Sequence, residues 1–356
     1  MKFVFYISIA LTAVVAFGDK LQCKNPSGQP VDWFVAIKLP KLQGNFSDGT
    51  GYIYMDSQNK TPSWSYHQAV TIENSAMGHS VSQIYVSSES QNDTLMWLVY
   101  NDEPTNGPVQ MTLGHTKGMV AADKDSGYWL VHSVPKYPQL PYQNNNSYTY
   151  PPTGVKFGQS FLCLSMLSQE LDKVGDQIIN NEAKVYGSHF GKNLQDIYPK
   201  LYNATQPHDV PSSDIDPVRL QHLQTIKGFK VLSIAKNRQF GKDLYEDLVT
   251  NLAQSDLYTE TWLNSRDRFN SSCSNKFKTM NIKSIVMKGV KLRYKSSKDH
   301  SKWATSVNNS IPLTCIGDVN RAGDQTRRGG GTVCIDSLII WNEFRKLVDN
   351  IEKCNN

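Results

Sequence analysis

Long apolar runs are scarce in this 356-residue chain. Beyond the first eighteen positions nothing approaches the roughly twenty apolar residues that a membrane-spanning helix requires, which excludes a multi-span membrane protein. No Cys-x-x-Cys pair occurs among the six cysteines, so the spacing of a structural zinc site is missing. Excess charge of one sign is small as well. The 37 Lys and Arg stand against 32 Asp and Glu, and the net +5 neither demands nor excludes a nucleic-acid partner. Around the His-x-Lys motifs described below there is no cluster of Asp and Glu, the ligand set a two-metal nuclease needs.

The one long apolar stretch lies at the start. Met1-Lys2 supplies a positive charge, Phe3 to Phe17 are an apolar run, and Ala16-Phe17-Gly18 offers small residues at a cleavage point. Residues 1–18 are therefore expected to be a signal peptide, and the remaining 338 residues read as a soluble, exported chain. Asp19-Lys20 ends the run too soon for a membrane anchor. All six cysteines (Cys23, Cys163, Cys273, Cys315, Cys334, Cys354) follow that point, and an even number in an oxidising compartment favours disulfides. Fifteen complete pairings are open, and spacing does not choose among them. Export also gives meaning to the Asn-x-Ser/Thr sequons. Asn45, Asn92, Asn145, Asn203, Asn270 and Asn308 are expected to carry glycan on surface loops, whereas Asn59, with Pro62 just after its sequon, is expected to stay bare.

What the chain does carry is one tripeptide pattern used twice: His115-Thr116-Lys117 and His300-Ser301-Lys302, 185 residues apart. On a strand, side chains alternate, so each imidazole and the ammonium two residues on would share a face. Two such pairs brought together would surround a phosphodiester with two imidazoles and two ammonium groups, enough for in-line displacement without a metal. Eight histidines in a chain about one-tenth basic should produce on the order of one such pair by chance, so the flanks carry the weight. Gly114-His115-Thr116-Lys117-Gly118 runs into apolar Met119 to Ala122, and Tyr128 to Ser133 reads as a second strand. Asp299-His300-Ser301-Lys302-Trp303 precedes Cys315 to Arg321 and the turn Arg327-Arg328-Gly329-Gly330-Gly331. Seventeen residues beyond each lead histidine stand His132-Ser133 and Gly317-Asp318, a hint of two related halves.

The remaining pattern is mixed. Trp33 to Lys38, Gln83 to Ser87 and Leu95 to Tyr100 read as strands, the last as a run suited to a sheet covered on both faces. Phe161 to Val174 and Asp243 to Ala253 read as helices. Ser337 to Lys353, with Trp341, Phe344, Val348 and Ile351 at three- and four-residue steps, reads as a core-facing amphipathic helix. Pro138 to Thr153, rich in Asn, Tyr and Pro, reads as a surface loop. Lys291, Arg293, Lys295, Lys298, Arg321, Arg327 and Arg328 are basic residues near the second motif, either a solvated face or a DNA groove. The mature charge of +4 would reach +12 with all eight histidines protonated, so an acidic compartment would make the chain attract polyanions.

These segments, together with Val31-Asp32-Trp33-Phe34, Lys38-Leu39-Pro40, Gly158-Gln159-Ser160-Phe161-Leu162-Cys163 and Phe240-Gly241-Lys242-Asp243-Leu244-Tyr245, closely resemble deoxyribonuclease II, in order from residue 23 to residue 354. That family is similar in turn to the phospholipase D superfamily. The resemblance implies a mixed α/β, phospholipase D-like fold of two pseudo-symmetric lobes, each a mixed sheet flanked by helices, at 19–165 and 166–356. It implies the disulfides Cys23–Cys163, Cys273–Cys354 and Cys315–Cys334. It also implies an acid endodeoxyribonuclease that needs no cofactor or metal and leaves 3′-phosphate and 5′-hydroxyl ends, acting on engulfed or apoptotic DNA in the lysosome or after secretion. DNA is the implied substrate, read with little sequence preference, and a homodimer is allowed. By superfamily analogy His115 is the nucleophile and His300 the acid, Lys117 and Lys302 stabilise phosphoryl charge, and Asn320 of Gly317-Asp318-Val319-Asn320 donates to the same oxygens. The superfamily Asp after each motif is replaced by Ala122 and Val307, with Asp123 one place late. Another carboxylate or carbonyl must therefore orient each imidazole. His132 and Asp318 are the supporting residues considered, although a lone His ending an apolar strand is more commonly structural. A phospholipase D-like lipid phosphodiesterase and an inactive nucleic-acid-binding paralogue are the alternative readings.

Overall fold

The computed structural model describes residues 20–85, 92–207 and 216–354; the expected signal peptide lies outside them. Two large sheets dominate. The first is built from β1 (Trp33–Lys38), β2 (Tyr52–Asp56), β3 (Ser65–His67), β4 (Met96–Asn101), β5 (Lys117–Ala122), β6 (Ser126–His132), β7 (Gln159–Leu167) and β8 (Val185–Phe190), in the order β3-β2-β1-β7-β6-β5-β4-β8. The second contains β9 (Val218–Gln224), β10 (Lys230–Lys236), β11 (Leu257–Glu260), β12 (Thr279–Met287), β13 (Leu292–Lys295), β14 (Trp303–Ser306), β15 (Leu313–Gly317) and β16 (Gly330–Asp336), in the order β13-β12-β11-β14-β15-β16-β10-β9. A further strand, β17 (Val348–Ile351), pairs with β12. Strand β7 crosses the 165/166 division, and β8 still belongs to the first sheet, so the chain passes from one sheet to the other between Phe190 and Val218.

The two sheets are related in register. Gly118 faces Val131 between β5 and β6, and Trp303 faces Ile316 between β14 and β15. Both members of the second pair stand 185 residues after those of the first, the spacing of the two His-x-Lys motifs. The period-2 alternation of strands places Trp33, Val35 and Ile37 in a core shared with Trp303, Ile316 and Val333 of the second sheet. Phe34 and Ala36, on the other face, enter a separate cluster with Met119, Leu130 and Phe161. Being covered on both faces explains why β4 is apolar without alternation.

Three expected elements differ. Phe161 to Leu167 is strand β7, and the helix begins afterwards, at Ser168–Asn180. A continuous apolar run has no period to separate a central strand, here between β1 and β6, from a buried helix. The C-terminal helix is Leu338–Leu347, started by the Ser337 side chain, which accepts from the Ile340 N–H. Val348 and Ile351 then pair with the free side of β12 instead of continuing it, a tertiary partner overriding helical spacing. Gln83 and Ile84 lie in the 3-10 turn Ser82–Ile84 that follows the Ala76–Val81 helix, and Gln83 ties down the Gln22 and Ser80 carbonyls; residues 86 and 87 lie outside the described residues. The Asp243 to Ala253 expectation agrees with helical turns at Tyr245–Val249 and Thr250–Ala253, begun by Asp243 accepting from the Tyr245 and Glu246 N–H groups. Pro138 to Thr153 is irregular, yet Leu140, Tyr148 and Tyr150 within it are buried.

The structure contains the disulfides Cys23–Cys163, Cys273–Cys354 and Cys315–Cys334. The last joins directly paired residues of β15 and β16, closing the loop that carries Asp318 and Asn320. Asn45, Asn145, Asn203, Asn270 and Asn308 are exposed, and Asn92 is half-buried. Among the described residues no helix is long and apolar enough to cross a membrane.

Candidate active site

His115 and His300 stand just ahead of β5 and β14, so each is placed by the opposite sheet as well as by its own strand. The His115 N–H donates to the Gly329 carbonyl at 2.9 Å, and the His300 N–H donates to the Gly158 carbonyl at 2.8 Å. The ring nitrogens repeat the exchange. His115 Nδ1 donates to the Asp318 main-chain oxygen at 2.5 Å, and His300 Nδ1 to the Ser133 main-chain oxygen at 3.0 Å, shared with the Gln159 side-chain oxygen at 3.2 Å. Ser133 and Asp318 are the residues at matching distance beyond the two histidines, so the sheets hold each other's imidazoles reciprocally. A carbonyl only accepts, so each neutral imidazole carries its proton on Nδ1 and leaves Nε2 with a lone pair. Main-chain carbonyls thus do the job of the absent superfamily Asp. Asp123 instead caps the β5–β6 turn, accepting from the Asp125 and Ser126 N–H groups.

The lysines are not equivalent. Lys117 opens β5, is fully buried, and its ammonium is paired with the Asp102 carboxylate just beyond β4. The other Asp102 oxygen accepts from Arg328, whose guanidinium also donates to the Leu113 carbonyl at 2.7 Å and the Gln110 carbonyl at 2.9 Å. Burial raises the Asp102 pKa, but Lys117, His115 and Arg328 outweigh it and hold the carboxyl well below its usual range. Lys302 has no such ion pair among the described residues and donates to the His300 carbonyl at 2.6 Å. Burial, then the Lys117 charge, keeps Lys302 well below the usual lysine range.

The four groups lie near enough to act on one another's charge. Burial, then Lys117, pushes the His115 imidazole well below its ordinary value. Burial, then Lys302, Lys117 and His115, does the same to His300. A half-buried Trp262 lies against His300, with ring centres 5.2 Å apart, and Phe157 packs on Trp262.

The remaining expected residues fall as follows. Asp318 is buried between the halves: its carboxylate accepts from the Lys117 N–H at 3.2 Å and the Gly331 N–H at 3.3 Å, and burial pushes it up to about 7. Asn320 accepts from the Trp262 N–H at 3.3 Å through Oδ1, which leaves its Nδ2 protons as donors. His132 is buried against Tyr137 and Phe161, and its Nδ1 accepts from the Val134 N–H at 3.1 Å, so it supports the end of β6. Of the basic residues near the second motif, Arg321 is buried and paired with Glu246 at 3.1 Å, Arg328 is buried on Asp102, and Arg293 pairs with Asp349. Lys291, Lys295, Lys298 and Arg327 are exposed. Among the described residues no group of three or more His, Cys, Asp or Glu side chains is placed to hold a metal ion.

Sequence reasoning missed Asp102, the Ser133 carbonyl and the two glycine carbonyls. The glycine turn signalled Gly329 and the seventeen-residue coincidence Ser133, whereas nothing in the sequence marked Asp102. Gly329 has a physical reason to be glycine, since a Cβ there would sit 2.1 Å from the Asn181 carbonyl oxygen.

Comparison with known proteins identifies the family. A profile of the Deoxyribonuclease II family matches residues 22–354. Among curated relatives, Cell-death-related nuclease 7 of Caenorhabditis elegans is 33% identical over 98% of this chain and 92% of its own length. Plancitoxin-1 of Acanthaster planci is 34% identical over 99% and 98%, and Deoxyribonuclease-2-alpha of Mus musculus 32% identical over 94% of each chain. With both sheets and both His-x-Lys motifs inside the match, the chain belongs to the deoxyribonuclease II family of phospholipase D-like nucleases.

Proposed function

We propose that this deoxyribonuclease is an acid endonuclease that hydrolyses DNA phosphodiesters through a phosphohistidine, with no metal in the chemical step. The reciprocal Nδ1 bonds support the reading, because they leave Nε2 of each imidazole as the nitrogen with a lone pair. His115 Nε2 attacks phosphorus while protonated His300 donates from Nε2 to the departing 5′ oxygen, and the P–O5′ bond breaks. Water then attacks the phosphohistidine, His300 takes its proton, and His115 leaves, giving 3′-phosphate and 5′-hydroxyl ends. Lys302, Lys117 and the Asn320 amide face the charge that grows on the phosphoryl oxygens.

Burial first, and then the neighbouring lysines, disfavour a positive charge on either imidazole of the free enzyme. A bound phosphodiester supplies negative charge and raises the pKa of the acid, and low pH completes the protonation. The relatives named for deoxyribonuclease activity and for cell death support DNA as substrate and dying cells as a source of it, and the setting proposed for this chain is the lysosome or the medium after secretion. Six disulfide-bonded cysteines fit either location. Plasmid incubated at pH 5 with EDTA, followed by end-group analysis, tests the mechanism. Cleavage with 3′-phosphate ends is expected; loss of activity on chelation, restored by magnesium, would overturn it.

A further inference from the structure

Two buried lysines outside this site occupy equivalent places in the two sheets. Lys38 ends β1 and faces Gln159, the first residue of β7. Lys236 ends β10 and faces Gly330, the first residue of β16. Both are fully buried, and among the described residues neither forms an ion pair. Instead, each ammonium donates to two main-chain carbonyls: Lys38 to Val155 at 2.7 Å and Gly49 at 3.2 Å, Lys236 to Arg328 at 2.5 Å and Gln325 at 2.8 Å.

The held segments are the ones that seat the histidines. Val155 lies shortly before Gly158, whose oxygen receives the His300 N–H, and Arg328 directly precedes Gly329, whose oxygen receives the His115 N–H. The Lys156 carbonyl between Val155 and Gly158 is tied in turn to the Lys41 N–H at 3.1 Å. Placing an ammonium here works against solvation. Burial, partly offset by Asp299 and Asp48, lowers Lys38 to about 7; burial, partly offset by Asp243 and Glu182 and reinforced by Arg328, lowers Lys236 to about 8. An apolar side chain would fill either place without that cost but would take the ammonium donor from the carbonyls it holds; of these, the Gln325 oxygen keeps a main-chain partner in the Arg328 N–H at 3.4 Å.

We propose that Lys38 and Lys236 are positioning residues, each fixing the segment that holds the catalytic histidine of the opposite sheet, Lys38 acting on His300 and Lys236 on His115. The assignment rests on the reading of these histidines as the reacting groups. A displacement on the order of 1 Å far from the chemistry costs about 10²-fold in rate, so small shifts of these loops should be visible in turnover.

The test uses Lys38→Met and Lys236→Met in the full mature chain, with folding checked by thermal melting at pH 5. The kcat on plasmid DNA should fall by up to about 10²-fold while KM changes by less than about threefold. NMR titration of the histidine Cε1–H signals should show that Lys236→Met moves His115 and spares His300, and that Lys38→Met does the reverse. Where a methionine variant does not fold, Lys38→Gln or Lys236→Gln, which keeps one buried donor, takes its place. Wild-type kcat in folded variants, or titrations that stay put or move together, would overturn the proposal. The titrations need no turnover, so a wild-type protein that fails to cut DNA would sink the nuclease mechanism while leaving this claim to be judged on its own.

Discussion

The guanidinium of Arg328 reaches out of the second sheet and donates to the Asp102 carboxylate at 2.9 Å, while the other oxygen of that carboxylate holds the Lys117 ammonium. One buried anion therefore links the glycine turn of one half to Lys117 of the other, and it balances two cations that water does not reach.

Asp102→Asn should leave both cations unpaired. Breaking a buried pair on one side costs about 3 to 5 kcal/mol, and this pair is buried on both sides. The sign with pH follows from the depressed carboxyl. Its stabilisation is complete above the unfolded value of about 3.9 and is lost only as pH falls below that, through the folded value. Thermal melts at pH 5 should show the full deficit in the variant, and the deficit should shrink at more acid pH. Equal melting temperatures at pH 5 would count against the pairing.

His115→Ala and His300→Ala should each lower cleavage by at least about 10³-fold, and the double variant should be little worse than either single one, since groups acting as a unit are strongly non-additive. Single-turnover assays on folded protein measure this. Independent, multiplying losses would mean that the imidazoles do not share one reaction.

Activity should rise as pH falls below neutrality. Both imidazoles are held below their ordinary value of about 6.5, so in the free enzyme the proton needed by the acid is present only in acid solution. Bound phosphodiester favours the imidazolium, so the alkaline limb of kcat should lie at higher pH than that of kcat/KM. A profile flat from pH 5 to pH 8 would be incompatible with a histidine acid. Asp318, pushed up to about 7 by burial, contributes a stability trend opposite to that of Asp102: the folded state binds its proton between about 3.9 and 7, so this group adds stability as pH falls through that window.

Opening the Cys315–Cys334 bridge should cost about 2 to 5 kcal/mol and loosen the loop that carries Asp318 and Asn320. Cys315→Ser with Cys334→Ser should therefore lose activity before it loses the sheet, as read by turnover against far-UV circular dichroism at pH 5. Full activity in the double serine variant would remove the loop's dependence on the bridge.

How much of this was legible beforehand depended on where the information sits. The His-x-Lys motifs, the even cysteine count and the β1 and β4 runs are properties of neighbouring residues, and local chemistry and period 2 are enough to read them. The helix expected at Phe161 to Val174 failed because an unbroken apolar run has no period, and only pairing with β1 and β6 made it a strand. Val348 and Ile351 kept a helical spacing yet joined a sheet, because a free strand edge was there to receive them.

The sequence by itself determined which candidate groups come in pairs: two imidazoles and two ammonium groups in matching tripeptides. Tertiary structure alone decided how those groups are aimed. Each imidazole is oriented by a main-chain carbonyl, 203 residues away for His115 and 167 for His300. A carbonyl is present at every residue and leaves no mark in the sequence, so its role exists only once the sheets have met. Asp102 and Arg328, 226 residues apart, are ordinary charged residues along the chain and become a pair only in the dry junction between the two halves.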